Sequence, residues 1–225
     1  MEKTIAVKRD KPSKVKWIVL ASIVAIYIFI AFVGHTIFLG MGRKWLLYYD
    51  RGYEARIVDA EKGEPVEGAL AVALWELDMI PGEGYAGYAK IIVGTTDKEG
   101  AVKFPGWIGF SPFMFFAATD DNAPRIVFYK PGYKVERRLG EGVHKEIPLK
   151  LTRVFTDEEI WKNHKEFRID ADFPSGTHYS KKQLSLILSH IKKVINQLSN
   201  EISSSKQLIM KDIETDRAYW VEGKR

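Results

Sequence analysis

The chain contains no cysteine. That absence excludes disulfides, cysteine metal sites, a thiol nucleophile, haem attachment through C-x-x-C-H and a lipidated N-terminal cysteine. Histidine is scarce too: His35, His144, His164, His178 and His190 form no H-x-x-x-H or H-E-x-x-H spacing, so zinc has no ligand set. Neither G-x-S-x-G nor a Walker pattern occurs. Asp120, Asp121 and Asn122 are consecutive oxygen donors, but they lack the spaced D-x-D-x-D-G run of a calcium loop. Ser175-Gly176-Thr177-His178 follows a proline in a polar linker and reads as a turn. No catalytic constellation, metal or cofactor is expected, and the chain reads as a non-enzyme.

Beyond its first residues the chain also lacks a charge excess. The net charge is +5 at pH 7. Residues 1–16 carry Lys3, Lys8, Arg9, Lys11, Lys14 and Lys16 against Glu2 and Asp10, which accounts for four of those five charges. Nucleic-acid binding needs a basic face on the folded part. No nucleic-acid partner is expected.

One long stretch lacks charge altogether. WIVLASIVAIYIFIAFVGHTIFL, residues 17–39, holds no Asp, Glu, Lys or Arg. At 1.5 Å per residue it spans about 34 Å, enough for a hydrocarbon core of about 30 Å. Trp17 and Trp45 flank it as interfacial aromatics do. The run is too long for a typical signal-peptide core, and no A-x-A site follows it. It reads as an uncleaved single span over residues 17–41, behind a basic tail over 1–16. The cations on its N-terminal side keep that side in the cytoplasm. The chain is therefore expected in the cytoplasmic (inner) membrane, N-terminus inside, with the rest periplasmic or extracellular. His35, within the second half of the span, reads as reaching the interface.

From residue 52 to 152 short apolar runs alternate with turn signals. Strands are expected near 53–58, 69–77, 88–96, 101–104, 125–130, 133–139 and 144–151. Tyr53, Ala55 and Ile57 share one face, as do Leu70, Val72 and Leu74, and Ile147, Leu149 and Leu151. In DAEKGEPVEGALAV (59–72), Asp59 can bond its own turn backbone and Gly63 offers positive φ. Pro65, with no N–H, belongs before the next strand. TTDKEGAVKF (95–104) and KPGYKV (130–135) make similar corners. The fold expected is mainly β, a seven-strand antiparallel sandwich.

Those corners, in order and followed by IPLKL (147–151), resemble the carboxypeptidase regulatory-like domain, a transthyretin-like (prealbumin-like) sandwich. The resemblance covers roughly residues 52–152 and implies an accessory module without a catalytic centre. Its motif residues are turn and core residues, so no functional residue carries over.

PGWIGFSPFMFFAATDDNAP (105–124) departs from that pattern as a long aromatic insertion. Trp107, Phe110, Phe113, Phe115 and Phe116 either form an exposed platform for carbohydrate, peptide or the membrane surface, or bury their own rings over one end of the sandwich. PGEGYAGY (81–88) reads as a flexible hairpin tip, since no strand-to-helix pattern supports phosphate binding.

Residues 153–225 read as a helical extension. Thr156-Asp157-Glu158-Glu159 is a capping box opening a helix near 157–167, and Ser180-Lys181-Lys182-Gln183 is a second one. In the longer helix Leu184, Leu188, Ile191, Ile195, Leu198 and Ile202 step by four and three, a coiled-coil-like seam. Ser205 interrupts it and Ile209 resumes it, while Ile187 and Val194 widen the stripe. That helix either packs on the chain itself or docks on a partner, another envelope protein or a second copy. The expected function is a membrane-anchored, non-catalytic binding or scaffolding subunit of a cell-envelope complex; the alternative is a carbohydrate- or peptide-binding module using 105–116.

Overall fold

The computed structural model describes residues 14–40, 43–44, 47–79, 85–110, 117–120, 124–140, 148–173, 179–197 and 203–223. Helix α1 (Lys14–Gly40) is apolar on all sides, and its large aliphatic side chains from Val15 to Val33, with Trp17, Phe29 and Phe32, are exposed. A core helix of a soluble protein would bury such a surface. By length and composition α1 is able to cross a membrane.

Nine strands follow in two sheets: β1 (Arg43–Lys44), β2 (Leu47–Asp59), β3 (Leu70–Met79), β4 (Tyr85–Thr95), β5 (Ala101–Phe110), β6 (Ala117–Asp120), β7 (Arg125–Tyr129), β8 (Glu136–Leu139) and β9 (Leu149–Leu151). β3 is the axis of the larger sheet. It pairs with β4 along one edge; its other edge is shared between β7, opposite Leu70–Leu74, and β6, opposite Leu77–Met79. β8 adds beyond β7, and β1 beyond β6. The smaller sheet runs β5-β2-β9, with β2 antiparallel to β5 and parallel to β9.

Alternation along β3 feeds two cores. Ala71, Ala73 and Trp75 turn toward the smaller sheet and join Ala55, Ile57, Val102, Phe104, Leu149 and Leu151. Leu70, Val72 and Leu74 turn the other way, onto the helices. A strand buried on both faces loses the apolar-polar alternation of a half-exposed one, and every residue from Ala69 to Trp75 is buried.

The helical layer comprises α2 (Asp157–Asp170), α3 (Lys181–Gln197) and α4 (Ser203–Asp216), closed by a π-helical turn over Arg217–Val221. Both expected capping boxes form. Thr156 Oγ accepts from the Glu159 amide at 3.2 Å, and Ser180 Oγ accepts from the Gln183 amide at 3.3 Å. Ile160, Phe167, Leu184, Ile187, Leu188, Ile191, Ile195, Ile209 and Ile213 press against Leu70, Val72, Leu74, Val127 and Tyr129.

The expectation of a seven-strand antiparallel sandwich is thus corrected. The chain is mixed α and β, with nine strands among the described residues, one parallel pairing and a helical third layer. The physical cause is the second apolar face of β3 and β7, which a two-layer sandwich would leave wet.

One further boundary moved. The β2–β5 ribbon continues past Pro105 and Gly106, so Trp107–Phe110 is strand rather than insertion. β5 pairs only with β2 among the described residues, so the missing Pro105 N–H breaks no pairing on its outer side. The kink rests on glycine: at Gly52 (φ +87°) a Cβ would lie 2.4 Å from the Phe104 carbonyl oxygen.

At the first corner Asp59 is buried. Its Oδ1 accepts from the amides of Glu61 (2.9 Å) and Lys62 (3.1 Å). Its Oδ2 accepts from the Tyr133 hydroxyl (3.1 Å) and pairs with Arg153 Nε. One carboxylate thereby ties its own turn to the 130–135 corner and to Arg153 just past β9.

Candidate functional site

The structure relocates the residues singled out in the sequence. Leu184, Leu188, Ile191 and Ile195 are all buried in the chain's own core. This part of the seam is therefore internal packing and offers no assembly surface. A heptad stripe has the same spacing whether it meets a second helix or a sheet. Leu198 and Ile202 lie outside the described residues.

Trp107 is half-buried and meets Trp75 edge to face, ring centroids 5.5 Å apart. Its indole Nε1 is buried with no hydrogen-bond partner. It is a wall of the core beside Tyr48 and Leu77 rather than part of an open platform. Phe110 ends β5. Phe113, Phe115 and Phe116 lie outside the described residues, as do Ser175–His178. Of the glycine-rich segment 81–88, Tyr85–Tyr88 belong to β4, antiparallel to β3, and residues 81–84 lie outside the described residues.

Two larger surface grooves stand out among the described residues. The first, about 640 Å³, lies over α2 and α4 and is lined by Trp161, Lys165, Arg168, Ile169, Asp172, Phe173 and Asp212. Its charges already answer one another. Arg168 pairs with Asp212 and with Asp216 (3.2 Å), Lys165 sits over the Trp161 ring, and the Tyr88 hydroxyl donates to Asp172 (3.3 Å). Beneath it, His164 Nδ1 meets the Tyr129 hydroxyl at 3.1 Å, and its Nε2 is buried without a hydrogen bond. Burial, with Arg168 nearby, pushes the His164 pKa down to about 3. Burial lifts the Asp216 carboxyl to about 6 against the pull of Arg168. A neutral imidazole and a satisfied cation ask for no ligand.

The second groove, about 550 Å³, lies between β4 and α3. Ile91, Ile92 and Val93 form its floor; Lys182, Gln183, Ser185, Leu186 and Ser189 form its wall. β4 pairs only with β3 among the described residues, so its other side is a sheet edge. The Gln183 Nε2 donates to the Ile91 carbonyl at 2.9 Å. That bond fixes the direction of Ile91. In an antiparallel strand the N–H and C=O of one residue point to the same side, and alternate residues share it. Ile91 and Val93 therefore turn their backbone groups to the open edge. Leu186 stands beside them at 48% exposure. α3 holds four lysines and no acidic residue.

Sequence reasoning missed this groove. One signal was present: Leu186, two residues from Leu184, falls off the buried stripe and has no place in it.

Comparison with family models, with curated proteins and with solved structures returns no match. The groove's geometry therefore carries the functional argument.

Proposed function

We propose that the chain is a non-catalytic binding or scaffolding subunit held in a cytoplasmic membrane by α1, N-terminus inside, with its sheets and helices on the outer side. An extended segment of another envelope protein, apolar and acidic, docks along β4. One observation carries this reading: a sheet edge beside an apolar groove, where Gln183 holds the Ile91 carbonyl while the Ile91 amide and the Val93 backbone groups turn outward. Unpaired edge groups are templates for strand addition, and alternate side chains of the added strand find pockets. The lysines of α3 favour carboxylates beside them. The corner motifs that resemble an accessory module agree with a chain that binds rather than reacts. Orientation rests on the N-terminal cations.

The test is the native mass of the full-length chain, gently extracted in mild detergent, for the wild type and Leu186→Glu. A stable complex that the substitution disperses supports the reading. A lone wild-type monomer with no co-purifying chain overturns it.

A further inference from the structure

The far half of the β2–β5 ribbon has two unlike faces. Tyr48 is buried and Trp107 half-buried against the core. Tyr49 and Ile108, direct cross-strand partners, face outward. Ile108 is 79% exposed, more than any large apolar side chain described on α1. Arg51, exposed two residues along, lies on the same side of β2 as Tyr49.

This apolar pair sits at a particular place. The chain leaves α1 at Gly40 and enters β2 at Leu47, opposite Phe110. A fully extended chain covers at most about 3.5 Å per residue. The first pairing of the ribbon is thus within about 25 Å of the helix end, and the Tyr49–Ile108 pair two residues further on. The turn Asp97–Gly100 precedes Ala101, at the opposite end of the ribbon from the Leu47–Phe110 pairing. An exposed aliphatic side chain, a half-exposed tyrosine and a flanking arginine make up the usual composition of a lipid interface.

We propose that this outward face rests on the lipid surface from which α1 emerges. Ile108 enters the boundary between headgroups and acyl chains, Tyr49 lies at headgroup level, and Arg51 meets lipid phosphate. The domain would then be held at two places, by its anchor and by the ribbon, and its β4 edge would keep a fixed attitude to the membrane. This inference rests on α1 being a membrane span and is independent of what docks on β4.

A chain without cysteine accepts single reporter thiols cleanly. Full-length Ile108→Cys, Lys98→Cys and Ile28→Cys would each carry a nitroxide and be reconstituted into vesicles of phosphatidylcholine and phosphatidylglycerol. Collision rates with oxygen and with a water-soluble nickel complex report depth. Position 28, at the middle of the span, should read lipid and position 98 water. Position 108 is expected to show nickel accessibility several-fold below position 98, with oxygen accessibility raised. A position 108 indistinguishable from 98, with 28 reading lipid, overturns the proposal and leaves the span intact. A position 28 that reads water overturns the span and the proposal together.

Discussion

Gln183 fastens the start of α3 to the outer edge of β4 through Ile91. Its Nε2 donates to the Ile91 carbonyl at 2.9 Å, while its Oε1 accepts from the Ser180 amide at 2.8 Å. One amide thus caps a helix and sets the wall of the candidate groove against its floor.

Removing that amide should be felt twice. Ser180→Ala loses the cap alone and should cost about 1 kcal/mol. Gln183→Ala loses the cap and the tie to Ile91 and should cost about 2 kcal/mol. Urea unfolding of the two variants measures the difference. Equal losses would mean that the Ile91 bond contributes nothing.

Neighbouring residues on α3 should behave in opposite ways. Ile187 is fully buried in the helix-facing core, so Ile187→Ala should cost about 2–5 kcal/mol. Leu186→Ser, one position away and half-exposed, should stay within about 0.5 kcal/mol of wild type. Its effect should appear in partner binding instead. Chemical denaturation beside a binding assay separates the two.

The ribbon kink predicts a sharp intolerance. Gly52→Ala would place a methyl group against the Phe104 carbonyl at positive φ. A loss of about 2 kcal/mol or more is expected from the dihedral and the clash together. Thermal unfolding checks it, and a loss below that would show that the ribbon can straighten.

Stability should also change with pH, through groups of opposite sign. His164 has its pKa depressed from 6.5 to about 3. Its contribution is complete above 6.5 and is lost as pH falls toward 3, with a slope of at most about 1.4 kcal/mol per pH unit. Arg153 holds the Asp59 carboxyl well below the usual range, helped by the Lys62 and Glu61 amides, so that contribution disappears at still lower pH. Asp216, raised to about 6, acts the other way and loses its contribution as pH rises through that value. Unfolding midpoints of wild type and His164→Gln between pH 7 and pH 4 should diverge most near neutrality and converge on acidification. Parallel curves would mean that His164 is not titrating in this range.

How much of this was legible follows from where the information lies. Local chemistry was readable. Asp59 does bond its own turn, Gly63 does take positive φ at +68°, and both capping boxes close. The faces of Leu70, Val72 and Leu74 came from a period of two and are correct. Long-range facts were not readable. Pro105-Gly106 looks like a loop in any local window, and only its place on an edge strand makes it part of β5. The stripe from Leu184 to Ile195 specifies an apolar neighbour without saying whether that neighbour is a helix, a sheet or another chain. Groove residues such as Ile92 and Leu186 are ordinary apolar residues until topology makes β4 an edge.

The first long strand after α1 is also the middle strand of the smaller sheet. β2 carries nine paired positions with β5 and three with β9. A pull on the anchor along β2 therefore does not peel one bond at a time; it loads those pairings side by side, in shear. Were α1 anchored as proposed, that strand would be a tension member, and a load on the folded domain would be shared by both of its neighbours at once.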